Sequence, residues 1–304
     1  MHPILAVGSV AFDSIKTPFG EANRVVGGAA TYFAIAASFF TEVRVVAVVG
    51  EDFGANVDKV FGGRKIDLSG LEKVPGETFR WKGEYGFDLN SRETIYTHLN
   101  VFEAFKPKIP ARHKTSPFVF LGNIHPTLQT DVLNQVEKPV MVGADTMNYW
   151  IERTPDELQQ VLKRVDVLLI NDSEARELAR EANLVKAARR VQSMGPKILV
   201  IKRGEHGVLM TRASGGFFAA PAMPLEEVFD PTGAGDTFAG GFLGYLASCD
   251  AVDDASMTRA IIYGSTMASF AVEDFSCDRL LRLTADEVSE RYKEFKKLTH
   301  FDVV

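Results

Sequence analysis

Residues 230–248 read DPTGAGDTFAGGFLGYLAS. Asp230 and Pro231 close an extended segment and Gly233, Ala234 and Gly235 make a tight turn. From Thr237 onward Phe238, Phe242 and Tyr245 recur at spacings of four and three, the period of a helix. A glycine turn that opens a helix presents unpaired backbone N–H groups at the positive end of the helix dipole, which suits anionic oxygens. Asp236 stands at that mouth. Two anions sharing one site repel, unless the carboxylate takes a proton from a hydroxyl while the N–H groups stabilise a phosphoryl group in transfer. The competing reading is a plain N-cap at Asp236, with the glycines present for packing.

Outward from this stretch, apolar runs of strand length recur: ILAVGSV at 4–10, VRVVAVVG at 43–50, FVFLG at 118–122, PVMVGAD at 139–145, VDVLLIN at 165–171, KILVIKRG at 197–204 and GVLMT at 207–211. Segments of helical period lie between most of them, at 29–40, 127–136, 155–164 and 174–194, and follow at 236–249, 257–272 and 284–297. Alternation of this kind predicts an α/β fold whose mostly parallel sheet is covered on both faces, with ligands outside the carboxyl ends of its strands. Between Thr78 and Val101 the period switches to two, placing Phe79, Trp81, Tyr85 and Phe87 on one side and Arg80, Lys82, Glu84 and Asp88 on the other. A turn at Leu89-Asn90-Ser91 makes this a half-exposed antiparallel hairpin, read here as a lid; Arg80, Lys82 and Arg92 serve a phosphorylated sugar or, more simply, form its solvated face. Its aromatic side serves packing, a subunit contact or closure over a ligand.

Composition narrows the partners. The 304 residues carry 34 basic and 40 acidic side chains, a net charge of −6, so the electrostatic footprint of a nucleic-acid or anionic-membrane binder is missing. The two cysteines, Cys249 and Cys277, are too few for a disulfide framework and lack metal-ligand spacing, which fits a reduced, cytoplasmic setting. The N-terminal apolar run meets Asp13 at once and reads as a strand, not a signal peptide. The uncharged stretch from Val25 to Thr41 is rich in Gly, Ala, Ser and Thr and reads as a buried helix opened by Gly27 and Gly28.

The 230–241 stretch resembles the signature D-T-x-G-A-G-D-x-F-x-x-G of the ribokinase (PfkB) family of carbohydrate kinases, with Pro231 where Thr is common, and the resemblance extends over nearly the whole chain. It implies a three-layer αβα sandwich with a mostly parallel central sheet and a small antiparallel β lid. It further implies a single domain over 1–304, with the lid inserted at about 12–25 and 75–103. By the same resemblance Asp236 is the catalytic base and the N–H groups of Gly233, Ala234 and Gly235 form the anion hole. Asp230 and Thr232 match positions that hold a monovalent cation, K+, in ribokinase. NDSE at 171–174 matches the family's N-x-x-E motif, so Asn171 and Glu174 act through water on Mg2+ and the ATP phosphates; without the family, the same pair is a capping box opening a helix at Asp172–Arg180.

IKRGEHG at 201–207 resembles the segment beside the nucleotide, assigning ATP contacts to Lys202, Gly204 and Gly207. GSVAFD at 8–13 and GGAATYFA at 27–34 resemble the acceptor pocket, giving substrate roles to Asp13, Gly27 and Gly28, although Tyr32 stands where related kinases carry Asn. Asn123, at the end of a strand in GNIHP, joins them, while the neighbouring His125 reads as structural. DTMNYW at 145–150 resembles a family D-x-N-x-R stretch without its Arg, and no site is assigned to it.

The expected activity is transfer of the ATP γ-phosphoryl group to a hydroxyl of a sugar or polyol. A nucleoside or inositol acceptor on the same fold is the alternative, and a non-catalytic ligand-binding protein a remote one. A homodimer through the lid accompanies these expectations. The turn G-x-G-x-x-G of nicotinamide enzymes and the Walker P-loop are both absent from the sequence.

Overall fold

Side chains of the apolar runs part to opposite sides of one sheet. Ile4, Ala6, Val43, Val45, Phe118 and Phe120 enter one core cluster, while Leu5, Val7, Val46, Val48, Val119 and Leu121 enter another. Period two with both faces apolar is what a sheet covered by helices on each side requires.

The structure, a computed structural model, describes residues 1–300. In chain order its elements are β1 Ile4–Val7, β2 Ala11–Thr17, β3 Gly20–Gly27, α1 Ala29–Ala37, β4 Val43–Gly50, α2 Asn56–Phe61, β5 Ile66–Val74, β6 Phe79–Tyr85, β7 Arg92–His98, β8 Phe118–Leu121, α3 Pro126–Gln135 and β9 Met141–Ala144. They continue with α4 Asn148–Arg153, α5 Pro155–Leu162, β10 Val167–Asn171, α6 Asp172–Ala179, α7 Leu184–Ser193, β11 Ile198–Lys202, β12 Val208–Arg212, β13 Phe217–Ala220, α8 Ala234–Ser248, α9 Asp254–Ala271, α10 Asp278–Leu281 and α11 Ala285–Thr299.

Nine strands form the large sheet in the order β13-β12-β11-β10-β9-β8-β1-β4-β5. It is parallel from β5 to β11, and antiparallel where β12 and β13 close one edge. Buried side chains of α1, α8 and α9 cover one face and those of α3, α5, α6 and α7 the other, giving the three-layer sandwich. A second, four-stranded sheet runs β3-β2-β6-β7; each of its two hairpins is antiparallel, and β2 pairs with β6 in parallel where the hairpins join.

Three details position the site. The run 4–10 does not continue as one strand: it stops at Val7, and Ala11 begins β2 in the small sheet. The segment 174–194 is two helices, because Arg180 adopts a left-handed conformation (φ 49°) that ends α6. And α8 lies close on α1: a Cβ on Gly240 would stand 2.5 Å from the Phe33 carbonyl oxygen, and one on Gly244 2.9 Å from Ala37 Cα. Among the described residues no helix is long and apolar enough to cross a membrane, and Cys249 and Cys277 are free thiols.

Candidate active site

The carboxyl ends of β8 to β11 each deliver a polar residue to one cleft, Asn123, Asp145, Asn171 and Lys202 in turn, and the start of α8 faces them. Gly233 takes a left-handed conformation (φ 75°) as the N-cap of α8, and the Tyr32 ring fills the place where its side chain would be. Within this turn the N–H of Ala234 is engaged, donating to the Pro231 carbonyl at 3.2 Å. The N–H groups of Gly233, Gly235 and Asp236 donate to no acceptor among the described residues. The free donors of the cradle are therefore Gly233, Gly235 and Asp236, since closing the turn consumes the one at Ala234.

Charge is dense around this turn. Lys202 Nζ lies 3.0 Å from Asp145 Oδ2 and 2.9 Å from where a Cβ on Gly235 would stand, so the ammonium rests against the turn. Burial lowers the proton affinity of Lys202, but Asp145, Glu174 and Asp236 together raise it further. Burial, then the Asp145 charge, pushes Asp236 up to about 7 against the opposing pull of Lys202 and Arg92. Glu174 is likewise pushed up to about 7 by burial and Asp145. Asp13, 5 % exposed, is also pushed up to about 7, first by burial and then by Asp230, although the Gly28 N–H and Arg92 favour its charged form.

Asn171 and Glu174 form the capping box read from the sequence: Asn171 Oδ1 accepts from the Glu174 N–H, and Glu174 Oε2 accepts from the Asn171 N–H, both at 2.8 Å. Asp13 lies on β2, with its carboxylate over Gly27, where any side chain would overlap it. Gly28 caps α1 at φ 95°, and a Cβ there would approach the Ser9 carbonyl oxygen to 2.5 Å. Asp230 is fully buried, accepts from the N–H groups of Thr232 at 2.8 Å and Ser276 at 3.1 Å, and has no ion-pair partner among the described residues. Tyr32 is buried too, its hydroxyl without a hydrogen-bond partner.

Asn123 Oδ1 accepts from the Trp150 indole at 2.9 Å, and His125 caps α3 through Nδ1, the structural role read for it. Gly204 faces the tip of the β6–β7 hairpin, where Asn90 Oδ1 would lie 2.7 Å from its Cβ; Gly207 is pressed against the Ala220 carbonyl.

The small sheet completes the cleft. Asp13 pairs with Trp81, and Tyr85 with Arg92, so all four side chains share one face. The Thr232 hydroxyl donates to the Tyr85 hydroxyl oxygen at 3.0 Å, and the Arg92 guanidinium lies 5.1 Å over the Trp81 ring. Arg92 is exposed, as read for it, but on the side of Trp81 and Tyr85, whereas Arg80 and Lys82 are half-buried on the opposite face, Arg80 in ion pairs with Asp52 and Glu77. Antiparallel register, set by the turn, opposes Arg92 to Tyr85. Phe87 lies beyond the end of β6 and is 92 % exposed, so it leaves the aromatic face. Asp145 is the residue that the sequence reading missed. Asp145 carried one usable signal, a polar residue ending a run buried on both faces, as Asn171 and Lys202 do in theirs.

A glycine turn with free N–H groups, a lysine laid against it and a carboxylate at the helix start suit phosphoryl transfer, and the relatives of this chain are phosphotransferases acting on an alcohol group. The chain belongs to the pfkB family of carbohydrate kinases, whose model matches residues 1–282. It is 31 % identical over 250 residues to a cytidine kinase of Thermococcus kodakarensis, covering 80 % of this chain and 88 % of the relative. Its fold matches that of Arabidopsis thaliana ribokinase complexed with ribose and ATP, with a TM-score of 0.78, 18 % identity and coverage of 96 % and 99 %. It also matches Burkholderia thailandensis nucleoside kinase in complex with inosine, with a TM-score of 0.78, 19 % identity and coverage of 96 % and 97 %.

Proposed function

We propose that this chain is an ATP-dependent kinase that phosphorylates a hydroxyl of a nucleoside, with Asp236 as general base. The observation that carries the chemistry is the placement of Asp236 at the start of α8, beside unengaged N–H groups and the Lys202 ammonium. An acceptor hydroxyl within reach of Asp236 gives up its proton as the phosphoryl group passes, and the N–H groups of Gly233, Gly235 and Asp236 take up charge on the group in transfer. Lys202, with the backbone near Gly204, meets the ATP phosphates. The nucleoside reading is supported by the buried Asp13, which offers a carboxylate for ribose hydroxyls, and by the kinship to a cytidine kinase.

Mg2+ fits this donor set: Glu174 keeps one carboxylate oxygen outside its capping bond, and Mg2+ in such sites is held by one or two carboxylates together with phosphates. Glu174 and Asn171 would hold it through water, where it neutralises phosphate charge. Asp230, a buried carboxylate lacking a counter-ion among the described residues, suits a monovalent cation in the same way.

A second reading, a sugar acid as acceptor, is favoured by Arg92, whose guanidinium faces the cleft and forms no ion pair among the described residues. Turnover of ATP with cytidine, inosine, adenosine, ribose, fructose, inositol and gluconate separates the acceptors. In the same assay Asp236→Asn binds ATP and loses about 10²- to 10⁴-fold in rate; wild-type turnover in that variant refutes the mechanism.

A further inference from the structure

We propose that Asp145 is a positioning residue for phosphoryl transfer: it holds the Lys202 ammonium against the Gly233–Gly235 turn. This rests on the reading above, in which that turn and Asp236 handle the phosphoryl group. Asp145 follows β9 and Lys202 ends β11, with β10 between them; Ala144 pairs with Leu168 and Lys202 with Asn171. The ion pair therefore arches over the carboxyl end of β10, the edge at which the capping box of α6 begins.

Both partners are enclosed, their side chains 9 % and 17 % exposed. Asp145 is fixed at two points, its carboxylate and its main-chain carbonyl. Its Oδ1 accepts from the Thr146 N–H at 2.8 Å, and the Asp145 carbonyl is held by the buried Gln129, whose Nε2 donates to it at 3.0 Å and to the Gly122 carbonyl at 2.9 Å. A lysine on its own carries a flexible four-carbon stem with many rotamers. Anchored to so rigid a carboxylate, Nζ has one place, and that place is against Gly235. A buried ion pair adds little net stability over an apolar pair of the same shape, so fold stability alone gives no reason for this one. Precise support of the group that meets the phosphates does.

Asp145 also acts on Asp236 across the cleft. The charged groups facing Asp236 are Asp145 from the end of β9, Lys202 from β11, Arg92 from β7 and Asp13 from β2. Asp145 raises its proton affinity, while Lys202 and Arg92 lower it. Removing the charge of Asp145 and removing that of Lys202 must therefore move the acid limb of the rate profile in opposite directions, although both changes slow the reaction. Loss of a fold contact alone has no such signature.

The test uses the full chain with ATP and cytidine, or the panel acceptor that the wild type turns over faster. At pH 9, where Asp236 is ionised in every variant, Asp145→Asn and Lys202→Met each lose about 100-fold in kcat, the order expected when a reacting group is misplaced by an ångström. The double variant is no slower than Lys202→Met alone, because Asp145 works through Lys202. Titration calorimetry shows weaker ATP binding in both single variants. The acid limb moves to lower pH in Asp145→Asn and to higher pH in Lys202→Met. Wild-type kcat in Asp145→Asn, losses that multiply in the double variant, or limbs that move together overturn the proposal. Should Asp145→Asn not fold, Asp145→Glu decides: it keeps the charge and displaces the ammonium, so kcat falls while the acid limb does not move to lower pH, and an unchanged kcat is the overturning result. Asp236→Asn is run alongside; if it turns over like the wild type, the underlying reading fails, whereas a dead Asp236→Asn beside a fully active Asp145→Asn sinks only the positioning role.

Discussion

Asp13 carries a charge that the folded chain resists. Its carboxylate sits at about 7 against an ordinary 3.8, chiefly through burial and next through Asp230. Below pH 4 the side chain is protonated in both folded and unfolded chains. As pH rises from 4 to 7 the unfolded chain releases the proton first, so stability is lost progressively, and above 7 the loss is complete. At 1.36 kcal/mol for each tenfold change in proton affinity, the full effect at pH 8 is about 4 kcal/mol. Asp13→Asn removes the charge, keeps the shape, and leaves an oxygen to accept from the Gly28 N–H. Urea unfolding is then expected to give equal stabilities near pH 4. At pH 8 the variant should exceed the wild type by about 2 to 4 kcal/mol, the lower figure allowing for new amide N–H groups that lack partners. The gain accompanies a loss of acceptor affinity, as when a site is held ready against the stability of the fold. A variant no more stable than the wild type at pH 8 refutes the reasoning.

Other outcomes follow from the same geometry. With Asp236 held at about 7, kcat falls about tenfold per pH unit well below pH 7, and a flat profile down to pH 5 excludes Asp236 as the base. Gly28→Ala forces a Cβ against the Ser9 carbonyl at φ 95°; a loss of about 2 kcal/mol or more in denaturant titration is expected, and a neutral result removes the steric account. Phe120 stacks on Phe33 with ring centroids 3.9 Å apart in the core between sheet and α1. Phe120→Ala costs about 3 to 5 kcal/mol, read by the same titration.

The large sheet was legible because burial on both faces writes an uninterrupted apolar run. VRVVAVVG at 43–50 is β4 from end to end, and the runs before Asn171 and Lys202 are β10 and β11. The strand β5 escaped notice, since its edge position leaves Asp67, Ser69, Glu72 and Lys73 in the pattern and Gly70 in its middle. The motif at 230–236 located the start of α8, and NDSE located that of α6. Which N–H groups of the turn stay free was not legible, because that depends on the bond from Ala234 to Pro231. The face of Arg92 was not legible for a related reason: on β6 alone period two sorts the side chains correctly, but the face that Arg92 takes on β7 depends on where the turn ends. Asp145 needed the third dimension, since its partner Lys202 lies 57 residues away in the chain.

The close seating of α8 on α1 bears on how such an enzyme diversifies. One helix starts with the proposed base and cradle and the other with Gly28 and Tyr32; the Tyr32 ring against Gly233 joins the two starts, while Gly240 and Gly244 seat α8 on the later part of α1. A shift of one start therefore moves the other, so a substitution at either acts on both. The side chains of β6 and β7 meet the cleft from a separate sheet, and several of them are exposed. On the proposed function, acceptor preference is then tunable on this sheet while the phosphoryl-handling end stays fixed, a division of labour that lets one scaffold try new alcohols without rebuilding its chemistry.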